Sequence, residues 1–394
     1  MKIPTSVKRW IPLFALVLLG CLFQFRSVLA LTQWFKKGEK PMQEWVSSAE
    51  NLIQVALLLD TSGSMEGLIE QAKSQLWQIL NNLSQAERNG AGPKIEIALY
   101  HYGNAEVSQE AGYVQQLLPF TSDFDAVSEA LFRLRTNGGE EYCGMAIKTA
   151  LHDLKWSGGE DQLRLLFIAG NEGFDQGPVR FQKICRKAKD QGIVVNTIFC
   201  GQSLDGIQLG WQQGALITGG HYANIDHNIA TDFIETPYDE EISRLNLKLN
   251  STYIPFGEQG LNKQQNQQLQ DANAITYSVA NAASRACFKA SGNYVNTSWD
   301  LVDAFAADST VIDQQLDLAE DFQQLSRTRL RLKIKECQDN RLAISQQIQA
   351  LNLDRQGFIQ QQLIASPTTN KESLEISFMQ SLEGIAKLKG FELK

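Results

Sequence analysis

The stretch Val55-Ala56-Leu57-Leu58-Leu59-Asp60-Thr61-Ser62-Gly63-Ser64-Met65 decides how this chain reads. It opens with apolar residues that do not alternate with polar ones, the pattern of a strand buried on both faces of a parallel sheet. The run stops at Asp60, where Ser62 and Gly63 signal a turn. Open parallel sheets bind ligands in the crevice beyond the carboxyl ends of their strands, so Asp60 is expected at a ligand-binding edge. Asp60, Ser62 and Ser64 are two apart, and an extended loop points such residues the same way. One carboxylate and two hydroxyls are hard oxygen donors of low charge, suited to Mg²⁺ (or Mn²⁺) with coordination positions left for water or a partner. The plainer alternative is a serine-capped strand-to-helix turn without a metal.

Outward from this stretch, Leu68, Ala72, Leu76 and Ile79-Leu80 recur at helical spacing and predict an amphipathic helix over 66–86. Further strands are expected at 95–102, 163–169 and 193–200, with an edge strand at 114–120 and a last one near 221–225. Helices are expected at 124–134, 145–154, 178–190 and 207–217. Strands alternating with helices of this length imply right-handed crossovers and an α/β, doubly wound, mostly parallel sheet.

Asp-x-Ser-x-Ser after a buried strand, in this order of elements, resembles the von Willebrand factor type A domain, here over about residues 50–230. The resemblance implies a Rossmann-like fold and a cation site completed by a threonine before the third helix and an aspartate after the fourth strand. This chain departs at both places. It has Gly138-Gly139-Glu140-Glu141-Tyr142-Cys143-Gly144 where the family has Gly-Gly-Thr, and Ala169-Gly170-Asn171-Glu172 where the family has Thr-Asp-Gly-Glu. Counting back from the helix makes Glu141 the replacement ligand, with Thr136 as the alternative, and the aspartate is lost or shifted to Asn171. The expected metal ligands are therefore Asp60, Ser62, Ser64 and Glu141, a rearranged site that keeps its charge. A decayed site that retains only its first loop is the competing reading. Glu172 and Asp175 read as solvated, or as N-terminal charges for the helix that follows. The two rewritten loops resemble those of exported bacterial type A domain proteins.

A chain of 394 residues with 43% hydrophobic content allows two globular domains. The net charge of −8 and pI near 5.2 argue against a nucleic-acid partner, because phosphate binding needs clustered Lys and Arg. Lys2, Lys8 and Arg9 precede an apolar segment from Trp10 to Phe25, too short for a comfortable membrane span. Residues 1–30 read as a signal peptide cut after Ala30. A lipoprotein box at Cys21 and an uncleaved anchor are the alternatives. All three place the remainder outside the cytoplasm, as a periplasmic, envelope-associated or secreted protein whose membrane contact runs through this segment alone. Cys143, Cys185, Cys200, Cys287 and Cys337 form no disulfide framework and no metal pair. For Cys143 and Cys200 a bridge is expected first, then buried free thiols, then a nucleophile at Cys143. His221 and His227 read as structural.

Residues 31–49 read as a linker and 231–394 as an all-helical region. Helices are expected at 239–250, 262–290 and 372–388, with a linker at 292–298. Between them Ile334, Cys337, Arg341, Ile344, Ile348, Leu351, Arg355 and Phe358 alternate spacings of three and four. That seam predicts either a helical hairpin packed within the chain or a coiled coil.

Three functions fit these observations. In the first, a protein partner supplies an acidic residue to the open coordination position, so the cation bridges two chains of an adhesion or scaffold assembly at the cell envelope. In the second, the same cation acts as Lewis acid in a hydrolase, with Glu140 as the strongest base on offer. The third is a metal-free structural role. No nucleotide loop, zinc pair or Ser/His/Asp pattern is present, and no catalytic residue is expected.

Overall fold

The unbroken apolar run becomes β1 (Leu52–Asp60), and it is central because both of its faces are covered. The computed structural model describes residues 51–393 apart from 160, 315 and 366–372. The expected signal peptide and linker lie outside the described residues. Around β1 run β2 (Lys94–Tyr102), β3 (Val114–Thr121), β4 (Leu163–Gly170), β5 (Val194–Cys200) and β6 (Tyr222–Ile225), in the order β3-β2-β1-β4-β5-β6. All neighbours pair in parallel except β3, which runs antiparallel to β2 at the edge. This is the expected doubly wound sheet. Asp60 pairs in register with Tyr102, and Leu59 with Ala169, so the ends of β1, β2 and β4 meet at one edge.

Helices α1 (Glu66–Ser84) and α2 (Phe124–Arg133) cover one face. The other face is covered by α3 (Cys143–Asp153), α4 (Phe181–Asp190) and α6 (Trp211–Thr218), the last preceded by the short α5 (Ser203–Gln208). The single helix expected at 207–217 is two, because Gly210 takes a left-handed φ of 91° between them. Strand positions thus divide between two cores: Val55 and Leu59 face the first, Ala56 and Leu58 the second.

The region after β6 is helical, as expected, through α7 (Asp239–Asn250), α8 (Gly260–Tyr277), α9 (Val279–Lys289), α10 (Leu301–Ala307), α11 (Arg327–Ala365) and α12 (Leu374–Leu388). The helix expected over 262–290 breaks at Ser278, whose hydroxyl accepts the Asn281 N–H and caps the start of α9. The expected linker at 292–298 is packed instead of free: Tyr294 is buried and donates its hydroxyl proton to Asp125. The seam of α11 lies against α7, α9 and α10 of the same chain. Its polar breaks are ion pairs, Arg341 with Asp300 and Asp303, and Arg355 with Asp239. A seam of this kind matches particular acids on its own chain. Helix α12 returns to the sheet and packs on α1 and β6.

Two devices join the helical region to the α1–α2 face. Arg285 of α9, fully enclosed, pairs with Asp125 of α2 at 2.8 Å and with Asp271 of α8 at 2.5 Å, and lies 4.4 Å from the Trp77 ring. Lys289 joins the same Asp271 at 2.9 Å. These cations hold the Asp271 carboxyl well below its ordinary range despite its burial. The second device is the stack of Phe378 on Phe167. Among the described residues no helix is long and apolar enough to cross a membrane.

Candidate metal centre

The carboxyl end of β1 delivers Asp60 fully buried, and the chain then turns so that the Ser62 N–H donates to Asp60 Oδ1 at 2.8 Å. Asp60 Oδ2 is buried with no hydrogen-bond partner. Burial pushes the Asp60 carboxyl up to about 7, opposed by Ser62 and reinforced by the negative charges of Glu141 and Glu172. Ser62 Oγ is 3.5 Å from Ser64 Oγ, to which Asn171 Nδ2 donates at 3.1 Å. Asn171 Oδ1 is a second buried oxygen without a partner.

The arrangement depends on two glycines. A Cβ on Gly103, which has a φ of 73°, would sit 2.8 Å from Asp60 Oδ1 and 3.0 Å from Glu141 Cγ. A Cβ on Gly170 would sit 2.9 Å from Asp60 Oδ2 and 2.4 Å from the Tyr102 hydroxyl. Beneath the carboxylate, Tyr102 donates to Ala169 O at 2.9 Å and accepts from the Cys143 thiol at 3.6 Å. Beside it, Thr61 Oγ1 and His101 Nδ1 are 3.0 Å apart, while Asn104 donates to Arg135 O at 3.0 Å. These contacts fix the loop that carries Glu141.

The loops after β1 and before α3 place Asp60, Ser62, Ser64 and Glu141 at one edge of the sheet. Thr136 makes no hydrogen bond to them among the described residues; its neighbour Asn137 donates to Thr61 O at 2.9 Å. Glu141 is held above its ordinary range by burial and by the charges of Glu172 and Glu140. Glu172, read as solvated, is exposed but close enough to act on both carboxyls. Gly103 was missed, since a glycine after a strand looks like any other turn.

The expected Cys143–Cys200 bridge does not form, and all five described cysteines are free and buried. Cys143 packs in the core on one face of the sheet and Cys200 in the core on the other. Burial, with Asp60 and Glu141 nearby, pushes the Cys143 thiol far up, so no thiolate nucleophile is available there. His221 meets Ser381 of α12 at 3.3 Å, a structural contact as expected.

The donor set fits a hard divalent cation. Two carboxylates held above their ordinary range lie on either side of Gly103, and an orphaned carboxylate oxygen is enclosed beside them. Among the described residues no three His, Cys, Asp or Glu side chains converge to hold a metal by themselves. A cation here would rely on hydroxyls, water and a further donor.

A protein-family model of the von Willebrand factor type A domain matches residues 54–208. The chain carries a type A domain. Its matched segment runs from β1 through the site loops to α5, and type A domains are commonly protein-interaction modules. Solved structures similar to this chain include BatB from Bacteroides thetaiotaomicron, at 17% identity over 44% of this chain and 90% of that one, with a TM-score of 0.34. Another is proximal thread matrix protein 1 from the mussel byssus with a zinc-occupied MIDAS motif, at 11% identity, 45% and 43% coverage and a TM-score of 0.33. A third is the pilus adhesin SpaC from Lactobacillus rhamnosus GG, at 13% identity, 46% and 28% coverage and a TM-score of 0.35. No curated protein matches the sequence.

Proposed function

We propose that this type A domain protein is a metal-dependent protein-binding module, of adhesion or scaffold kind, at the cell envelope. Asp60, Ser62, Ser64 and Glu141 would hold Mg²⁺ or Mn²⁺, and an acidic residue of the partner would complete the coordination. The observation that carries this reading is the enclosed Asp60 carboxylate with Oδ2 unpartnered beside Glu141. A bound cation would neutralise both groups and supply a positive centre for the partner's carboxylate. The chain's own part is to hold the carboxylates close, through Gly103, Gly170 and the Ser62 N–H.

The hydrolase reading has less support. Glu140, its general base, is exposed and its carboxylate already accepts from Gln176 Nε2 at 3.2 Å. Calorimetric titration of Mg²⁺ and Mn²⁺ into the chain and its Asp60→Ala variant tests the site. Heat of binding in the parent alone is expected, and its absence from both would sink the proposal. If metal binds, pull-down from envelope extract with and without EDTA tests the bridge, and a partner retained in EDTA would rule it out.

A further inference from the structure

Helix α4 carries charge of the sign opposite to the molecule's. Arg180, Lys183, Arg186, Lys187 and Lys189 are all exposed, on a chain whose net charge is −8. The helical repeat spreads them over one outward arc, behind which Phe181, Ile184, Cys185 and Ala188 are buried. None of the five takes part in an ion pair among the described residues. The flanking helices leave the arc positive: α3 adds exposed Lys148 and a His152–Asp153 pair, and α6 presents the uncharged Gln213. Asp190 is the single acid on α4 itself.

An exposed leucine stands on the neighbouring helix. Leu216, on α6 packed against α4, is 65% exposed. By contrast the loops at the site-bearing edge present Glu66, Glu106, Glu140, Glu172 and Asp175 to solvent. Unpaired Lys and Arg next to a protruding leucine match an anionic bilayer surface, where phosphates meet the cations and the leucine enters the interfacial zone. An acidic protein surface would satisfy the cations and leave Leu216 in contact with polar groups.

We propose that the α4 face, with Leu216, docks on an anionic lipid surface. This goes beyond the metal-bridged binding and does not depend on it. The test uses the full chain with Cys21→Ser and Leu216→Cys, the new thiol labelled with an environment-sensitive fluorophore. Vesicles of phosphatidylglycerol with phosphatidylcholine should shift the label's emission to the blue, and pure phosphatidylcholine should not. Lys183→Gln, Arg186→Gln and Lys187→Gln together should raise the half-saturating lipid concentration roughly a hundredfold. A label at Leu353 of α11, placed in the same way, should not respond. A silent Leu216 label on anionic vesicles, or an equal shift on neutral ones, overturns the proposal, whatever the N-terminal segment does. A stronger response to poly-glutamate than to vesicles overturns it in favour of an acidic polypeptide.

Discussion

Phe167 on β4 and Phe378 on α12 stack with ring centroids 4.1 Å apart and planes 18° from parallel. The pair couples the middle of the sheet to a helix from the far end of the helical region. Phe378 is 2% exposed, so Phe378→Ala removes a buried aromatic and leaves a cavity beneath α12. A loss of about 3–5 kcal/mol is expected in chemical denaturation. A loss under about 1 kcal/mol would mean that α12 is not part of the sheet's cover.

Arg285 is enclosed, so its partners are needed. Asp125→Ala should cost about 3–5 kcal/mol, because it leaves a buried guanidinium short of one carboxylate. The change should weaken the domain and the helical region together. A denaturation curve that splits into two transitions, with only the second region weakened, would contradict that coupling.

Asp60 binds its proton more tightly in the folded chain than the ordinary value of 3.8 allows, up to about 7. Without metal, the stability it contributes is fully present below about pH 4 and is lost as pH rises to about 7, by roughly 4 kcal/mol. Asp60→Asn should therefore raise the metal-free melting temperature at pH 8 and abolish any response to Mg²⁺. In the parent, the rise in melting temperature with Mg²⁺ should be larger at pH 8 than at pH 5, where protons compete for the site. Equal rises at both pH values would place the metal elsewhere.

Gly170→Ala adds one carbon against the Tyr102 hydroxyl and Asp60 Oδ2. Weaker Mg²⁺ binding by about tenfold or more is expected, with the sheet retained by circular dichroism. Unchanged calorimetric affinity would show that the orphaned oxygen does not face the cation.

The thiols should be silent in the native state. Cys143 and Cys200 lie on opposite faces of the sheet, so non-reducing electrophoresis should show no internal bridge between them, and a thiol reagent should label the five described cysteines only on denaturation. Native labelling of Cys143 would contradict its burial.

The strands and the first site loop could be read from residue pattern because both are local. The run from Val55 to Asp60 carries its burial in its composition, and Asp60, Ser62 and Ser64 carry their common direction in their spacing. Glu141 was reachable because a helix start supplies a counting mark. The breaks at Gly210 and Ser278 were not, since one glycine or serine inside a periodic run does not announce that the backbone leaves the helix there. Nor was the fate of Arg341 and Arg355. Their partners, Asp300, Asp303 and Asp239, are distant in sequence, and only the folded chain brings them together.

The return of α12 to the sheet bears on how the molecule is made. β1 to β6 are synthesised first, yet the groove over α1 and β6 stays open until the whole helical block has followed. An emerging chain cannot seal its own core, so the sheet's apolar face must be guarded until the late helix arrives. That delay makes premature release during synthesis a route to aggregation rather than to a smaller working domain.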